Sequence, residues 1–309
     1  MSERKPVADW RTDWDHLDPA WRDDPYPIWA ELRQRWPIAQ TGRFEGAYLP
    51  TRYADVKAIA YDTEHFSARR VVVRDQYLDT LMPAPPITSD PPNHKPEKRS
   101  MLPFSTPRSM LKIEPKTRVI CNDLIDGFIA NGQCDAAQAY TRHIPVRVIA
   151  QMLGVDPADG DLLIKWITQI LELGVSDDDS FVAGMTEMTH YFHAEVAKRQ
   201  NNPTDDLIGE MMRAEFDGQP WEPERVIGAL RLLMIAGIDT TWSGIGFCLW
   251  HLARYPEDCQ RLRNVLQLMP LAIDDGCDRG MAKAHSIIRT YWPRDLVAGH
   301  GSRTTITTV

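Results

Sequence analysis

The sequence predicts a mainly α-helical protein with one small antiparallel β element. Apolar residues recur at helical spacing through most of the chain that follows a proline-rich loop at residues 83–92. Glycine or proline closes most of these stretches, as is common at helix ends. Residues 38–51 instead form two short stretches around glycines, a pattern typical of a β-hairpin.

The part of the chain before the loop contains the hairpin. Residues 1–24 are acidic and rich in tryptophan, and they predict irregular structure. Pro37 ends the first helical stretch. Residues 71–81 fit no single pattern. The predicted elements are a helix over 27–36, a hairpin of 38–40 with 47–51, and a helix over 53–60.

The part after the loop is predicted to be almost wholly helical. Asn131-Gly132, Gly154 and Pro256 supply stop signals for three of its helices. The segment that begins at Pro223 is the longest and most apolar. The predicted helices cover 95–102, 107–130, 144–153, 158–173, 179–200, 205–215, 223–255 and 257–268.

Composition excludes several classes of protein. The chain has 309 residues, of which 25% are charged and 43% apolar, as in ordinary globular proteins with a sizeable core. The net charge of −8 and the lack of a basic run argue against nucleic-acid binding. Charges interrupt every apolar run well before the roughly 20 residues that span a bilayer, so no membrane segment or leader is expected. Five scattered cysteines suit the reducing cytoplasm.

An unusual segment lies at the centre of the longest helix. The run Ala236-Gly237-Ile238-Asp239-Thr240-Thr241 places glycine, a carboxylate and two threonines among apolar residues. One interpretation is that a helix ends near Gly237 and that Asp239 caps the next one. The other is a helix opened beside a flat cofactor. Gly237 would admit a ring, the Thr240 hydroxyl would reach the Ala236 carbonyl, and Asp239 would pass protons inward.

This run resembles the oxygen-binding helix of the soluble bacterial cytochromes P450, A-G-x-D/E-T-T. Further segments resemble the same family, in its usual order, over roughly residues 20–275. These segments are Arg52-Tyr53-Ala54-Asp55-Val56 with His65-Phe66-Ser67, Asp90-Pro91-Pro92-Asn93-His94, Phe104-Ser105-Thr106-Pro107-Arg108, Asp135, Ile144-Pro145 and Met152-Leu153-Gly154-Val155. The resemblance implies a partial cytochrome P450 fold.

The resemblance also implies a function, that of a haem-thiolate monooxygenase. Asp239 and Thr240 would be catalytic. The implied haem-binding residues are His94, Lys98, Arg99, Ala236 and Gly237. Lys98 stands where the family usually has arginine, and lysine lacks the planar fork that binds a carboxylate through two hydrogen bonds. The implied partners are a small apolar substrate and a ferredoxin-type electron donor. No nucleic-acid or membrane partner is expected, and the expected location is the cytoplasm.

The family pattern stops at residue 275. Asp275 and Asp278 stand where a Glu-x-x-Arg pair is expected, and no segment reads F-x-x-G-x-x-x-C-x-G around Cys277 or any other cysteine. Residues 276–309 carry a charge of +3, which leaves −11 on 1–275. We therefore expect residues 1–275 to be the N-terminal two thirds of a P450 domain and 276–309 to be a non-matching, out-of-frame tail. The alternative is a divergent natural C-terminus.

Three functions compete at this point. The first is a haem-thiolate monooxygenase by descent that is inactive as this truncated chain. The second is a haem-free remnant without catalysis, and the third is a helical module that binds a small molecule. No metal ligand set is expected: His190, His193 and Glu187 fit a surface helix, and the cysteines before residue 275 fall outside any ligand motif.

Overall fold

The computed structural model describes residues 4–75, 83–216, 218–273 and 305–307. Contacts divide the chain into two compact units, Met1–Arg99 and Ser100–Val309. Most described residues are helical, and the strands are short and antiparallel. The predicted fold class, mainly α with a small antiparallel β element, is confirmed.

The first unit contains the predicted hairpin. Ile38 lies opposite Pro50 and Thr41 opposite Ala47. Its elements are α1 (Pro19–Asp23), α2 (Pro25–Arg35), β1 (Ile38–Thr41), β2 (Ala47–Pro50), α3 (Tyr53–Tyr61) and the first turns of α4 (His94–Met101). The prediction of wholly irregular structure before residue 25 is wrong for α1, because Asp18 caps it and a proline occupies its first turn.

The core of the first unit joins the N-terminal segment to the hairpin. Trp14, Leu32, Ala39 and Phe44 form its buried cluster. Beside this cluster, Arg43 donates hydrogen bonds to Asp13 at 2.8 Å and to the fully buried Asp15 at 2.6 Å. A buried carboxylate is tolerated when it is paired in this way.

The second unit is a set of packed helices. Its elements in order are α5 (Pro107–Ile129), β3 (Gln133–Asp135), a π-turn (Ala137–Thr141), α6 (His143–Leu153), a 3-10 turn (Pro157–Asp159), α7 (Gly160–Ile167), a second π-turn (Thr168–Leu173), α8 (Asp178–Asn201), α9 (Leu207–Met212), β4 (Glu215–Phe216), β5 (Gln219–Pro220), α10 (Pro223–Arg254), α11 (Pro256–Asn264), a 3-10 turn (Leu266–Leu268) and β6 (Thr305–Thr307).

Three predicted helices are shorter than expected. The helix predicted over 158–173 is α7 followed by the π-turn at Thr168–Leu173. The helix predicted over 205–215 is α9 (Leu207–Met212), and α11 ends at Asn264 rather than at residue 268. Two unpredicted strand pairs also occur, β3 with β6 and β4 with β5. Strands of two or three residues are too short to show a period of two in the sequence.

Most of the predicted out-of-frame tail, residues 276–309, lies outside the described residues. So does Cys277, around which the family pattern is lost. The exception is β6, which pairs with β3 so that Thr305 lies opposite Asp135 and Thr307 opposite Gln133. The origin of residues 276–309 therefore stays a prediction.

The core of the second unit lies where α6, α7, α8 and α10 meet. α10 packs against both α6 and α8. Its buried positions include Ile227, Leu230, Met234 and Ile238, which recur at helical spacing along one side. α10 is also long and apolar enough to cross a membrane, with a mean hydropathy of 1.4 over its most apolar window. This finding differs from the expectation that no membrane segment is present: α10 meets the criterion by length and composition, and 11% of that window is buried among the described residues.

Candidate functional site

The unusual central segment lies within one uninterrupted helix. α10 runs from Pro223 to Arg254, and Tyr255 follows it as the C-terminal cap. The interpretation in which one helix ends near Gly237 and Asp239 caps a second is therefore wrong. No proline interrupts the helix after Pro223, and its packing against α6 and α8 offsets the roughly 1 kcal/mol that a glycine costs in a helix.

α10 presents two different sides at this point. Met234 and Ile238 are fully buried, whereas Ala236 and Thr240 are exposed. At 3.6 residues per turn, Ala236 lies about 200° around the helix from Met234, and Thr240 lies about 200° from Ile238. Ser243 continues the exposed side one turn further. We call Ala236, Thr240 and Ser243 the open stripe.

The Thr240 hydroxyl is bonded to its own helix. Its Oγ1 donates to the Ala236 carbonyl oxygen at 2.7 Å. This contact confirms the predicted reach of the hydroxyl to that carbonyl, although the helix does not open around it. A hydroxyl that donates to a backbone carbonyl keeps its lone pairs available as acceptors. The open stripe therefore presents a methyl group and a hydroxyl oxygen on adjacent turns.

The carboxyl of Asp239 lies beside the open stripe but is half-buried. Burial raises its pKa above the usual value, because desolvation penalises the charged form. The Trp242 side chain, one turn further along α10, acts in the opposite direction and lowers this pKa. A carboxyl with a raised pKa keeps its proton to a higher pH than an ordinary aspartate, which suits it to proton transfer.

Gly237 faces α6 rather than the open stripe. A Cβ atom built at this position would lie 2.8 Å from the Cδ1 atom of Ile149, which belongs to the buried core. The glycine therefore lets α6 and α10 approach closely. Close packing of the two helices, rather than the predicted approach of a ring, therefore explains why glycine occupies this position. The helix contact gives no support to the haem contact predicted for Gly237.

The contact predicts that Gly237→Ala stabilises the protein less than an alanine at an uncrowded helical glycine. The end of the Ile149 side chain must turn away from the new Cβ atom, which offsets part or all of the roughly 0.5–1 kcal/mol that alanine gains over glycine inside a helix. Unfolding in urea measures the change. The matched control is Gly127→Ala in α5, where an added Cβ meets nothing within 4 Å and should stabilise by roughly 0.5–1 kcal/mol.

A double variant tests the contact itself. Ile149→Val removes the Cδ1 atom that the new Cβ would meet, so Gly237→Ala should be more favourable in that background than in the parent chain. Equal effects in the two backgrounds would show that the glycine is required for another reason.

The predicted cationic residues lie on α4. His94 is half-buried, and Lys98 and Arg99 are exposed. His94 and Lys98 are separated by one helical turn and so share a side of the helix. Across residues 4–75, 83–216 and 218–273, none of these three side chains forms an ion pair. The exposed Lys98 and Arg99 side chains suit a ligand that carries carboxylates, as haem does in its propionates.

The residues considered for a metal have structural partners instead. Glu187 accepts hydrogen bonds from Lys165 at 2.7 Å and from the Trp166 indole at 3.1 Å. His193 lies 3.5 Å from Glu224 of α10. Within the described residues no group of three or more His, Cys, Asp or Glu side chains is arranged to hold a metal ion.

Two residues of this region were missed by sequence reasoning. Trp242 interacts with Asp239, and the Arg142 guanidinium lies over the Trp242 ring, 5.1 Å from its centroid. Trp242 follows Asp239 at helical i+3 spacing, which could have indicated the first contact. No feature of the sequence indicates the second contact, because Arg142 precedes Trp242 by many residues and reaches it only through the packing of α6 and its preceding turn on α10.

Known proteins with similar sequences and structures are bacterial cytochromes P450. The chain is 29% identical over 259 residues to the vitamin D(3) 25-hydroxylase of Pseudonocardia autotrophica, covering 82% of this chain and 63% of that protein. It is 27% identical over 273 residues to cytochrome P450 107B1 of Saccharopolyspora erythraea, covering 84% and 66%. No protein-family model matches the chain.

Solved structures agree with the sequence comparison. The structure of cytochrome P450 CYP109Q5 from Chondromyces apiculatus matches with a TM-score of 0.69 and 30% identity, over 85% of this chain and 67% of that one. A long central helix that carries A-G-x-D-T-T within a body of packed helices defines a P450-type fold. The chain belongs to the cytochrome P450 family, whose cofactor is haem and whose members are monooxygenases. It spans about two thirds of the length of these relatives.

Proposed function

We propose that residues 1–275 form the oxygen-side and proton-delivery part of a haem-thiolate monooxygenase. The reaction inserts one atom of O2 into a small apolar substrate and reduces the other to water, which consumes two electrons and two protons. We also propose that the full chain by itself does not catalyse this reaction. Residues 276–309 are then the non-matching part of the chain.

The open stripe of α10 is the observation that supports this proposal most strongly. A flat ring can approach a helix only where side chains are small, and Ala236 provides such a place on the exposed side. The adjacent Thr240 hydroxyl is fixed by its bond to the Ala236 carbonyl. The residues of this helix therefore fit a haem face, and bound haem would supply the iron that activates oxygen.

Asp239 and Thr240 would move protons along this side of the helix. Thr240 can accept a proton at Oγ1 and pass on the one it carries, because a hydroxyl is both donor and acceptor. Asp239 would supply that proton, and the pKa of its carboxyl, which burial raises, supports this role. The buried side of α10 against α6 and α8 keeps bulk water from the opposite face of the helix.

Side chains of α4 would hold the haem. The haem propionates would be bound through charge and hydrogen bonds by His94, Lys98 and Arg99. The substrate would be small and apolar. Two relatives are named as a vitamin D(3) 25-hydroxylase and a mycinamicin IV hydroxylase/epoxidase, which supports oxygen insertion as the type of reaction. The electron source would be a ferredoxin-type protein. We place the protein in the cytoplasm as a soluble chain without nucleic-acid or membrane partners.

Haem titration of a variant of the open stripe tests the proposal. Ala236→Trp places a large side chain where the ring face should lie, so haem affinity should fall at least about tenfold, equivalent to ~1.4 kcal/mol. Absorbance during titration with haem measures the affinity. The matched control is Ala253→Trp, an exposed alanine near the end of the same helix, which should bind haem as the parent chain does.

Two results would contradict the proposal. Undiminished binding by the Ala236→Trp variant would show that haem does not use the open stripe. Absence of binding by the parent chain would favour the haem-free remnant or the small-molecule module. A melting shift of the parent chain with an apolar ligand would then separate these two alternatives.

A further inference from the structure

A cavity lies at the C-terminal end of α10. Its volume is about 370 Å³, which falls within the range of small-molecule sites, about 300–1,000 Å³. The end of α10, α11 and the residues that follow α11 up to Ile273 form its walls. Most of the wall side chains are apolar, among them Leu252, Leu262, Leu268 and Leu271. We call this space the α10–α11 cavity, and its walls suit a hydrocarbon.

The α10–α11 cavity is separate from the open stripe. Phe247 is the first α10 residue in its walls, and it lies roughly 10 Å along the helix from Thr240 at ~1.5 Å per residue. The described residues that line the cavity do not include Ala236, Asp239 or Thr240. A ligand in the cavity would therefore not occupy the place proposed for haem.

The cavity is open to solvent on one side. Met269, Leu271 and Ile273 line it and are still exposed, Leu271 by 67%. Contact between water and apolar side chains grouped in this way is unfavourable, and such groups commonly mark binding surfaces. A ligand with an apolar body would enter the cavity and cover these side chains.

Charged side chains in the walls indicate the head group of such a ligand. His251 of α10 and Asp258 of α11 pair with each other, with 3.0 Å between Nε2 and Oδ2. The Asp258 carboxylate is therefore used within the protein. Arg261, one turn after Asp258 on α11, lines the cavity and is exposed. A guanidinium stays charged and can bind a carboxylate through two parallel hydrogen bonds.

We propose that the α10–α11 cavity binds a small apolar carboxylate of the fatty-acid type. The alkyl chain would lie against Leu252, Leu262 and Leu268, and the carboxylate would pair with Arg261. The charge of the guanidinium complements that of the head group, and the apolar walls complement the chain. This second site goes beyond the proposed function and does not rest on it, because no residue of the open stripe takes part.

Nuclear magnetic resonance of the full chain without added haem tests the proposal. Methionine labelled with 13C in its methyl group provides a probe inside the cavity, because Met269 lines it. Met269→Leu identifies the Met269 signal by its absence. The chain is titrated with octanoate and, as matched ligands, with octan-1-ol and octylammonium. We expect the Met269 signal to move with all three ligands, with octanoate binding most tightly and octylammonium most weakly.

Two variants separate the head group from the chain. Arg261→Met keeps an unbranched apolar side chain but removes the charge, so octanoate affinity should fall about fivefold, the upper value for one exposed ion pair, while octan-1-ol binds as before. The matched control is Arg263→Met, an exposed arginine on the same helix outside the cavity walls, which should bind octanoate as the parent chain does. Ala272→Phe fills the cavity and should abolish binding of all three ligands, whereas the exposed Ala253→Phe should not.

Three results would overturn the proposal. The first is a Met269 signal of the parent chain that octanoate does not move. The second is an equal loss of octanoate affinity in Arg261→Met and Arg263→Met. The third is a dimer in sedimentation that Ala272→Phe abolishes, which would assign the cavity to a second copy of the chain. Failure of the haem titration would leave octanoate binding intact, so failure of this proposal is distinguishable from failure of the proposed function.

Discussion

The full chain, loaded with haem, reduced and exposed to carbon monoxide, is expected to lack the thiolate-type absorption band of its family and to hydroxylate nothing. A thiolate ligand makes the iron electron-rich and favours cleavage of the O–O bond. No cysteine of this chain lies in a segment that resembles the family's ligand loop, F-x-x-G-x-x-x-C-x-G. The spectrum of the reduced, carbon-monoxide-bound sample, recorded at known haem stoichiometry, is the measurement.

The described cysteines explain this expectation. Cys248 is on α10, about 12 Å along the helix from Thr240 at ~1.5 Å per residue. Cys121, Cys134 and Cys259 are half-buried free thiols on α5, β3 and α11. Burial raises the pKa of Cys134, which keeps it in the thiol form that binds iron poorly.

Haem bound through the open stripe would then carry water or histidine on iron. Its carbon-monoxide complex should absorb like a histidine-ligated or free haem. A thiolate-type band at stoichiometric haem would contradict the prediction. Loss of that band in Cys277→Ser, with retention in Cys248→Ser as the control, would identify Cys277 as the ligand, a residue outside the described part of the chain.

Arg199→Met is expected to lower the free energy of unfolding by about 3–5 kcal/mol, the usual cost of removing one partner from a buried ionic network. The Arg199 side chain is 6% exposed and pairs with Glu195 at 2.6 Å and Asp206 at 2.8 Å. It also donates to the carbonyl oxygens of Leu153 and Gly154, at 3.2 Å and 2.9 Å. The network therefore joins α8 to the end of α6 and the start of α9, and urea unfolding measures its loss.

Acid should remove the same stabilisation. Burial alone would raise the pKa values of Glu195 and Asp206, but hydrogen bonds and charge from Arg199 and its neighbours lower both of them. The unfolded carboxylates therefore take up protons at a higher pH than the folded ones. The contribution is fully present above the ordinary carboxyl pKa values and is lost as pH falls through the lowered ones. The free energy of unfolding measured against pH should fall in that window in the parent chain.

The control for both measurements is Arg118→Met. Arg118 forms an exposed pair with Glu114 within α5, and such pairs contribute about 0.5 kcal/mol or less. Similar losses in Arg118→Met and Arg199→Met would contradict the importance of the buried network.

The sequence alone determined the helical class, the hairpin and the family. These rest on local patterns: the apolar spacing of α10, the stop signals at Gly132, Gly154 and Pro256, and the short motif that ends in Asp239-Thr240. The Thr240 bond to the Ala236 carbonyl also followed from spacing, because residues four apart meet on a helix. A contact between residues one turn apart on the same helix can be predicted from the sequence without knowing the tertiary structure.

Tertiary structure decided which neighbours these residues have. The lack of a side chain at Gly237 lets Ile149 of α6 pack close to α10. Arg142 contacts Trp242 because the turn before α6 also packs on α10. Arg199 meets Asp206 only because the end of α8 folds back to α9. Each contact joins residues on different elements through packed side chains and turns of irregular geometry. Local periodicity carries no information about such pairs, so only the assembled helices show them.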